Sequence, residues 1–446
     1  MGKKDGKRQL MSDDDSFDTI SILSGSMDQL SVGSMEDSGI LKGSKTWLEE
    51  LESTIDDLIE VKKIGAKERE EHLEKIYVIC TRHYAKRISE NVASLEELLL
   101  KIFNGPRSDK ELILTIRIMC TFCLASVFQV EELWTKTEGR FNALANDAES
   151  SGIKCESILC FSLLTALLDS EADVIEFGDF LISILESDGA VVNSEDDEGV
   201  VGCACQALGL LLTCVTTESE FLASAAEALS EQLDAASIDV QLAAGQALAA
   251  LFERVNEIRP DKDEENDESD VSQTSKFDDI IPDRNQLLIT LRDLASESSK
   301  SIGKKQRKVL HQVFRNVLQT IEEPNARNIL RNSVRIGQST VQLDSWKKIL
   351  RAQMLRYVLG SSFSEYFAKS TFIRYFLGYS GYVAGLSSRD PDSDFDSDNV
   401  DEYIDDHKRG LSSTERRDLD RVRDKQKKQD QRVRADYINS VYFSQN

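Results

Sequence analysis

Four helices with almost no charge recur along this chain at a nearly constant interval, and that recurrence restricts the fold more than any other feature. They cover Leu112 to Val127, Ser157 to Leu168, Val200 to Val215 and Val240 to Phe252, with starts about 40 to 45 residues apart, the interval of a repeat built from a few helices. The last reads Asp239-Val240-Gln241-Leu242-Ala243-Ala244-Gly245-Gln246-Ala247-Leu248-Ala249-Ala250-Leu251-Phe252. Small residues at this density let neighbouring helices approach closely, as the inner helix of a stacked repeat requires. Amphipathic helices lie between them, such as Phe221 to Leu233, with acids on the outward side.

The expected class is all-α: an armadillo/HEAT-like solenoid of about four or five repeats over residues 44–256, then a smaller, mostly helical C-terminal domain and a basic helical tail. Only five prolines interrupt the chain. The solenoid opens with Leu48, Leu51, Ile55, Leu58 and Ile59 on one helix, and Leu73, Ile76, Tyr77, Cys80 and Tyr84 on the next, at spacings of three and four. Before it, residues 1–43 are a Ser/Asp-rich leader with too little apolar surface to offset the entropy of ordering. Its serines beside acids are candidate phosphorylation sites, although a solvating tail is the favoured reading.

Residues 257–282 hold Pro260, Pro282 and a run of acids, an acidic linker or an insertion. Helices resume at Leu287 to Leu294 and Lys304 to Ile321, within a basic C-terminal domain over 283–383. Val334 to Gly337 and Thr340 to Leu343 predict a short two-stranded excursion, followed by a helix capped near Asp344 and stopped at Gly360. An acidic spacer (384–410) leads to a basic polar segment (411–446). There Ser412-Ser413-Thr414-Glu415 predicts a capping box.

Charge is segregated. The formal net charge is −25, but Lys300 to Arg389 holds 16 bases against 4 acids, and His407 to Asn446 holds 11 against 6. Between them Asp390 to Asp406 carries nine acids and no base. An acidic body with a basic C-terminal third offers one face to polyanions and withholds the other.

Catalytic signatures are missing: no Gly-rich phosphate loop, no nucleophile elbow, no His-Glu-x-x-His. His72, His83, His311 and His407 are scattered without triad-like neighbours. Cys120-x-x-Cys123 and Cys203-x-Cys205 fall in apolar helices, where a metal-binding thiolate would be costly to desolvate, and no His pair follows. The acidic runs lack EF-hand spacing. The expectation is therefore a non-enzyme without cofactor, metal or small-molecule substrate. All eight cysteines lie between Cys80 and Cys214 in apolar helical patterns, as reduced core thiols of a cytosolic or nuclear protein would. No apolar run is long enough to span a membrane, no signal peptide is evident, and Gly6 breaks a myristoylation motif.

The binding candidates are basic. Arg416, Arg417, Arg421, Arg423, Lys425, Lys427, Lys428, Arg432 and Arg434 recur along one polar segment, preceded by Lys304, Lys305, Arg307 and Lys308 at the start of a predicted helix. Such density neutralises phosphates, while interspersed Asp and Gln limit indiscriminate adhesion. A solvated, self-paired helix is the plain alternative, since Asp420 and Asp424 can pair four residues away. The aromatics from Phe363 to Tyr382 could stack on bases, but their helical spacing favours a core.

Taken in order, several segments resemble the interferon-related developmental regulator family. They are the leader around Asp13 to Gly33, the helix Val240 to Phe252, and Val334-Arg335-Ile336-Gly337 with Leu343-Asp344-Ser345-Trp346. Arg356-Tyr357-Val358-Leu359-Gly360-Ser361-Ser362-Phe363 and Leu411-Ser412-Ser413-Thr414-Glu415-Arg416-Arg417 complete them. The resemblance implies an armadillo-like domain, a smaller C-terminal domain and a basic tail. It further implies two activities: binding to translationally inactive ribosomes, with the C-terminal helix along ribosomal RNA in the mRNA path, and transcriptional co-regulation with deacetylase co-repressor complexes. The long spacer Asp390 to Asp406 and the ending on Ile438, Val441, Tyr442 and Phe443 depart from the family pattern. The expected partners are thus the ribosome and its RNA, with co-repressor proteins second, in the cytoplasm and also the nucleus. A karyopherin-like adaptor is a third class, for which no cargo motif speaks.

Overall fold

The structure, a computed structural model, describes residues 47–60, 65–82, 93–125, 130–168, 170–217, 220–258, 280, 283–296, 303–323, 330, 332–336 and 339–379. The leader, most of the acidic linker, the acidic spacer and the basic tail lie outside the described residues.

Helices pack in sequence-adjacent pairs: α1 (Trp47–Glu60) on α2 (Ala66–Arg82), α3 (Ala93–Asn104) on α4 (Asp109–Ala125), and α5 (Val130–Asp147) on α6 (Ser151–Leu167). The pairing continues with α7 (Glu171–Glu186) on α8 (Glu198–Leu212) and α9 (Glu220–Glu231) on α10 (Ile238–Ile258). The even-numbered helices stack on one another in order and form the inner row. Four of them are the uncharged helices that recur in the sequence. A sixth pair, α11 (Arg284–Ser296) and α12 (Lys304–Glu322), adds to the row through α12 on α10. The solenoid therefore resumes after the acidic stretch.

Why the two rows differ in composition follows from what each helix touches. Nearly every side chain of α8 from Val200 to Leu212 is buried, because neighbouring inner helices, an outer helix and one further helix enclose it. On α7 only one stripe is buried (Val174, Phe177, Leu181, Ile184, Leu185), while Glu176, Asp179 and Glu186 face water. Two glycines mark close stacking within the inner row. A Cβ on Gly209 would lie 3.0 Å from Ala247 Cβ and 3.2 Å from Leu350 Cδ1, and one on Gly245 would lie 2.7 Å from the Phe314 ring.

The connection from α7 to α8 is held from inside. Asp188, Gly189, Asn193 and Asp196 all have positive φ, a conformation that Gly, Asn and Asp tolerate best. Lys154 of α6, only 2% exposed, donates its ammonium to the carbonyls of Val192 and Asn193 and to Ser194 Oγ. With no carboxylate partner among the described residues, the buried ammonium is stabilised by these oriented dipoles. Asp197 then caps α8 by accepting from Gly199 and Val200.

After α12 the chain forms the expected hairpin, β1 (Asn332–Ile336) antiparallel to β2 (Ser339–Leu343), with Val334 opposite Val341. The next helix, α13 (Trp346–Leu359), is capped by Ser345, whose Oγ accepts from the Lys348 amide at 3.2 Å. This cap falls near Asp344, as expected, and Asp344 itself pairs with Lys348 Nζ at 2.6 Å. Gly360, at φ +55°, ends the helix as the sequence suggested. Short helices α14 (Phe363–Lys369) and α15 (Thr371–Phe376) close the described chain, and all described residues belong to one compact unit ending at Tyr379.

Candidate functional site

Of the basic candidates, the structure describes the group on α12. Its buried stripe is Val309, Leu310, Val313, Phe314, Val317 and Ile321, with Lys308, Gln312, Arg315 and Gln319 on the exposed side. That three-and-four spacing makes the helix strongly amphipathic, so packing against α10 and α11 turns its bases outward. Lys308 is exposed and Arg307 half-buried. Lys304 and Lys305 belong to the first turn, but their side chains lie outside the described set. Arg315 joins this face, although the sequence reading did not single it out. Arg416, Arg417, Arg421, Arg423, Lys425, Lys427, Lys428, Arg432 and Arg434 all lie outside the described residues.

A second arrangement escaped sequence reasoning altogether. α13 lies along the inner row, packed on α4, α6, α8 and α10, and the following 3₁₀ turn reaches α2. Seven large apolar side chains of α13 are buried: Trp346, Ile349, Leu350, Met354, Leu355, Val358 and Leu359. Polar contacts fix its register at successive inner helices. On α10, Glu253 accepts from the amides of Trp346 (2.8 Å) and Lys347 (3.0 Å), satisfying two free N–H groups at the start of α13. Gln353 bonds Gln246 at 3.2 Å. At the end of α8, Arg351 donates to Thr213 Oγ1 (2.9 Å) and Thr213 O (3.0 Å), and it also reaches the Phe376 carbonyl (2.6 Å).

Further along, Tyr357 meets an ion pair buried between α4 and α6. Arg117 makes two parallel bonds of 2.9 Å to Glu156, and Tyr357 donates to the same carboxylate at 2.5 Å. Tyr77 of α2 donates to the Val358 carbonyl at 2.6 Å. Burial first, then the Glu156 charge, push the Tyr357 phenol well above its usual range. Burial likewise lifts Tyr77 to about 12. For Arg117 burial works against the charge, but Glu156 outweighs it and holds the guanidinium firmly protonated. These groups hold α13 in the groove.

The aromatics after Gly360 divide as their helical spacing suggests. Phe363, Tyr366, Phe367 and Phe376 are buried, with Tyr366 donating to the Cys80 carbonyl. Tyr375 is 75% exposed, and Tyr382 lies outside the described residues. Cys120, Cys123, Cys203 and Cys205 are buried, and burial pushes the Cys123 and Cys205 thiols up. Among the described residues no group of three His, Cys, Asp or Glu side chains is placed to hold a metal, and no helix is long and apolar enough to cross a membrane. His72 bonds the Glu68 carbonyl; His83 and His407 lie outside the described residues.

The acidic charge of the solenoid is concentrated in its second half. From residue 155 to residue 253 there is no Lys, Arg or His, against nineteen Asp and Glu. The acids of α7 and α9 make no ion pair among the described residues, and Glu138 on α5 is pushed up by burial and by Glu176 and Asp173. The outer face of this half of the solenoid is therefore an uncompensated anionic surface.

Comparison with known proteins places this architecture. The family model described as Interferon-related developmental regulator (IFRD) matches residues 19–322, ending where the last solenoid helix ends. Interferon-related developmental regulator 2 of Mus musculus is 28% identical over 182 residues, 40% of this chain and 37% of that protein. Interferon-related developmental regulator 1 is 27% identical over 146 residues both in Mus musculus and in Homo sapiens, 33% of this chain and 28% of each relative. The matches thus span well under half the length of these relatives. With more than half of its sequence inside the family model, from the leader through six stacked helix pairs, the chain belongs to the interferon-related developmental regulator family.

Proposed function

We propose that this protein is a non-enzymatic regulator that docks on inactive ribosomes and represses translation, its basic C-terminal segment lying along ribosomal RNA in the mRNA path. The observation that carries this reading is the one-sided basic face of α12, with Lys308 and Arg315 held outward by a buried apolar stripe. A rigid basic face followed in sequence by a polar segment with nine further cations suits a phosphate-walled channel, where the segment gains contacts it lacks alone. The proposed location is cytoplasmic, with a nuclear fraction.

A second reading, a nuclear scaffold recruiting deacetylase co-repressor complexes, draws on the anionic outer face of α7 and α9. With α13 in the groove, such partners would meet the outer helices.

Sucrose-gradient sedimentation of lysate tests both. The full chain is compared with a truncation ending at Gly410, which keeps α13 and its neighbours. Co-migration of the full chain with monosomes, lost on truncation and weakened by moderate salt, is the expected result. If both forms stay at the top of the gradient at low salt, the ribosome reading fails. Retention of co-repressor proteins by both forms would then favour the scaffold.

A further inference from the structure

Adjacent inner helices carry cysteines that meet across their interface, and one such pair is reachable from solvent. Cys155 lies one turn into α6 and is half-buried, while Cys203 lies one turn into α8 and is 6% exposed. Cys203 lies one turn beyond Gly199 on α8, so it shares the helix face that Cys155 approaches. The N-termini of these helices are drawn together, since Ser151 Oγ donates to Asp197, the residue that caps α8. The backbone of α8 passes beside Cys155, for a Cβ built on Gly199 would stand in ordinary contact with its Sγ, at 3.9 Å. We propose that Cys155 and Cys203 form an oxidisable dithiol, which a peroxide converts to a disulfide stapling α6 to α8.

The chemistry balances in two steps. The Cys155 thiolate attacks one oxygen of hydrogen peroxide; an S–O bond forms, the O–O bond breaks, and the departing hydroxide takes a proton to become water. The Cys203 sulfur then attacks the sulfenic sulfur of Cys155. An S–S bond forms, the S–O bond breaks, and the leaving oxygen departs as water with the Cys203 proton. Two thiols are oxidised and one peroxide is reduced. Accessibility sets the order, because peroxide reaches Cys155 before the covered Cys203. The contact with Cys155 and burial both hold the Cys203 thiol protonated, so the second step accelerates with rising pH.

Other cysteines provide internal controls. Cys120 and Cys160 also meet across α4 and α6, with Cys120 Sγ 3.7 Å from the Cys160 carbonyl, but both are fully buried and out of reach. Cys214 is half-buried, with a guanidinium nitrogen of Arg351 3.3 Å from its sulfur. It serves as the accessible thiol without a cysteine partner.

The test treats the full folded chain with hydrogen peroxide, blocks remaining thiols, and maps peptides without reduction. A cystine joining the Cys155 and Cys203 peptides should be the first to form, with Cys120 and Cys160 still open to alkylation after denaturation. In Cys203→Ser, Cys155 should accumulate as a sulfenic acid captured by a 1,3-dicarbonyl probe, and the wild type should show far less of it. The inference is overturned if Cys155 advances to sulfinic acid while Cys203 remains a free thiol, or if another pair joins first. Mapping of the wild type decides the matter even if a variant fails to fold.

Discussion

Glu156→Gln removes one charge from the buried network under α13 while leaving the side-chain volume nearly unchanged. Glu156 is fully buried and Arg117 is 6% exposed, so the guanidinium loses its counter-charge where water cannot replace it. An amide also offers one acceptor oxygen in place of the two that now receive Arg117 Nε, Arg117 Nη2 and Tyr357 Oη. Breaking a buried pair by removing one partner costs roughly 3–5 kcal/mol, mostly as the uncompensated charge left behind. For a chain of this length each kcal/mol lowers the melting midpoint by about 2 °C, so the variant should melt about 6–10 °C below the wild type. Circular dichroism at 222 nm, which follows helix loss, measures this directly. The triple variant Arg117→Met, Glu156→Leu, Tyr357→Phe removes the whole network and fills its space with apolar groups. It should recover most of the loss, because apolar replacements of a buried ion pair are often neutral or better. A Glu156→Gln midpoint within about 2 °C of wild type would refute the reasoning. So would a triple variant that falls as far as the single one.

Glu253 supplies a pH-dependent test. Burial pushes its carboxyl above the usual range, with the Trp346 and Lys347 amides pulling partly back. A carboxyl that holds its proton more tightly when folded loses its stabilising contribution as pH rises from the unfolded pKa to the folded one. Glu253→Gln should therefore match the wild type in acid and gain on it as pH rises from about 4 to 7, in melts taken at constant ionic strength; a constant difference would count against it. Truncation after Glu323 deletes α13 and uncovers the inner row. The seven large side chains lost contribute roughly 10–20 kcal/mol of burial as an upper bound, comparable to a whole domain's stability. That truncation should aggregate or lose its cooperative melt, whereas one ending at Gly410 should melt like the full chain.

The solenoid was legible because its physics is local and periodic. Inner helices enclosed on all sides must be uncharged and small-residue-rich, and the spacing of Leu112, Ser157, Val200 and Val240 reports this directly. The sixth pair was harder to see, since α11 and α12 follow an acidic stretch and α12 carries bases on its exposed side. The placement of α13 was not legible at all. Its sequence, Trp346-Lys347-Lys348-Ile349-Leu350-Arg351, has the charge of a surface helix, and nothing local says that Arg351 ends on Thr213 or that Tyr357 ends on Glu156. Those partners lie 138 and 201 residues away, so only the folded stack brings them together. The start of α13 was legible to within a residue, because Asp344 and Ser345 are both good capping residues and Ser345 takes the role.

The occupied groove also changes how the basic third should be counted. Sixteen bases between Lys300 and Arg389 suggest a broad polyanion surface. Yet Arg351 is spent on Thr213 and Phe376, Arg374 on the carbonyls of Phe367 and Ala368, and Arg356 lies over the Phe363 ring. Lys348 is paired with Asp344 and Lys369 with Glu365. Cations held inside the fold, as Arg351 is, release no counterions from a nucleic acid, and those paired on the surface, as Lys369 is, are partly offset by their acids, so the formal count overstates the salt dependence of binding. If the chain binds RNA, the slope of log affinity against log salt, about −0.7 per phosphate on single strands, should reflect the α12 face and the tail rather than the formal charge. Truncation at Gly410 should then reduce the slope to the few contacts that α12 supplies. A slope unchanged by truncation would move the interface onto the solenoid, whose base-free half is the least suitable surface for it.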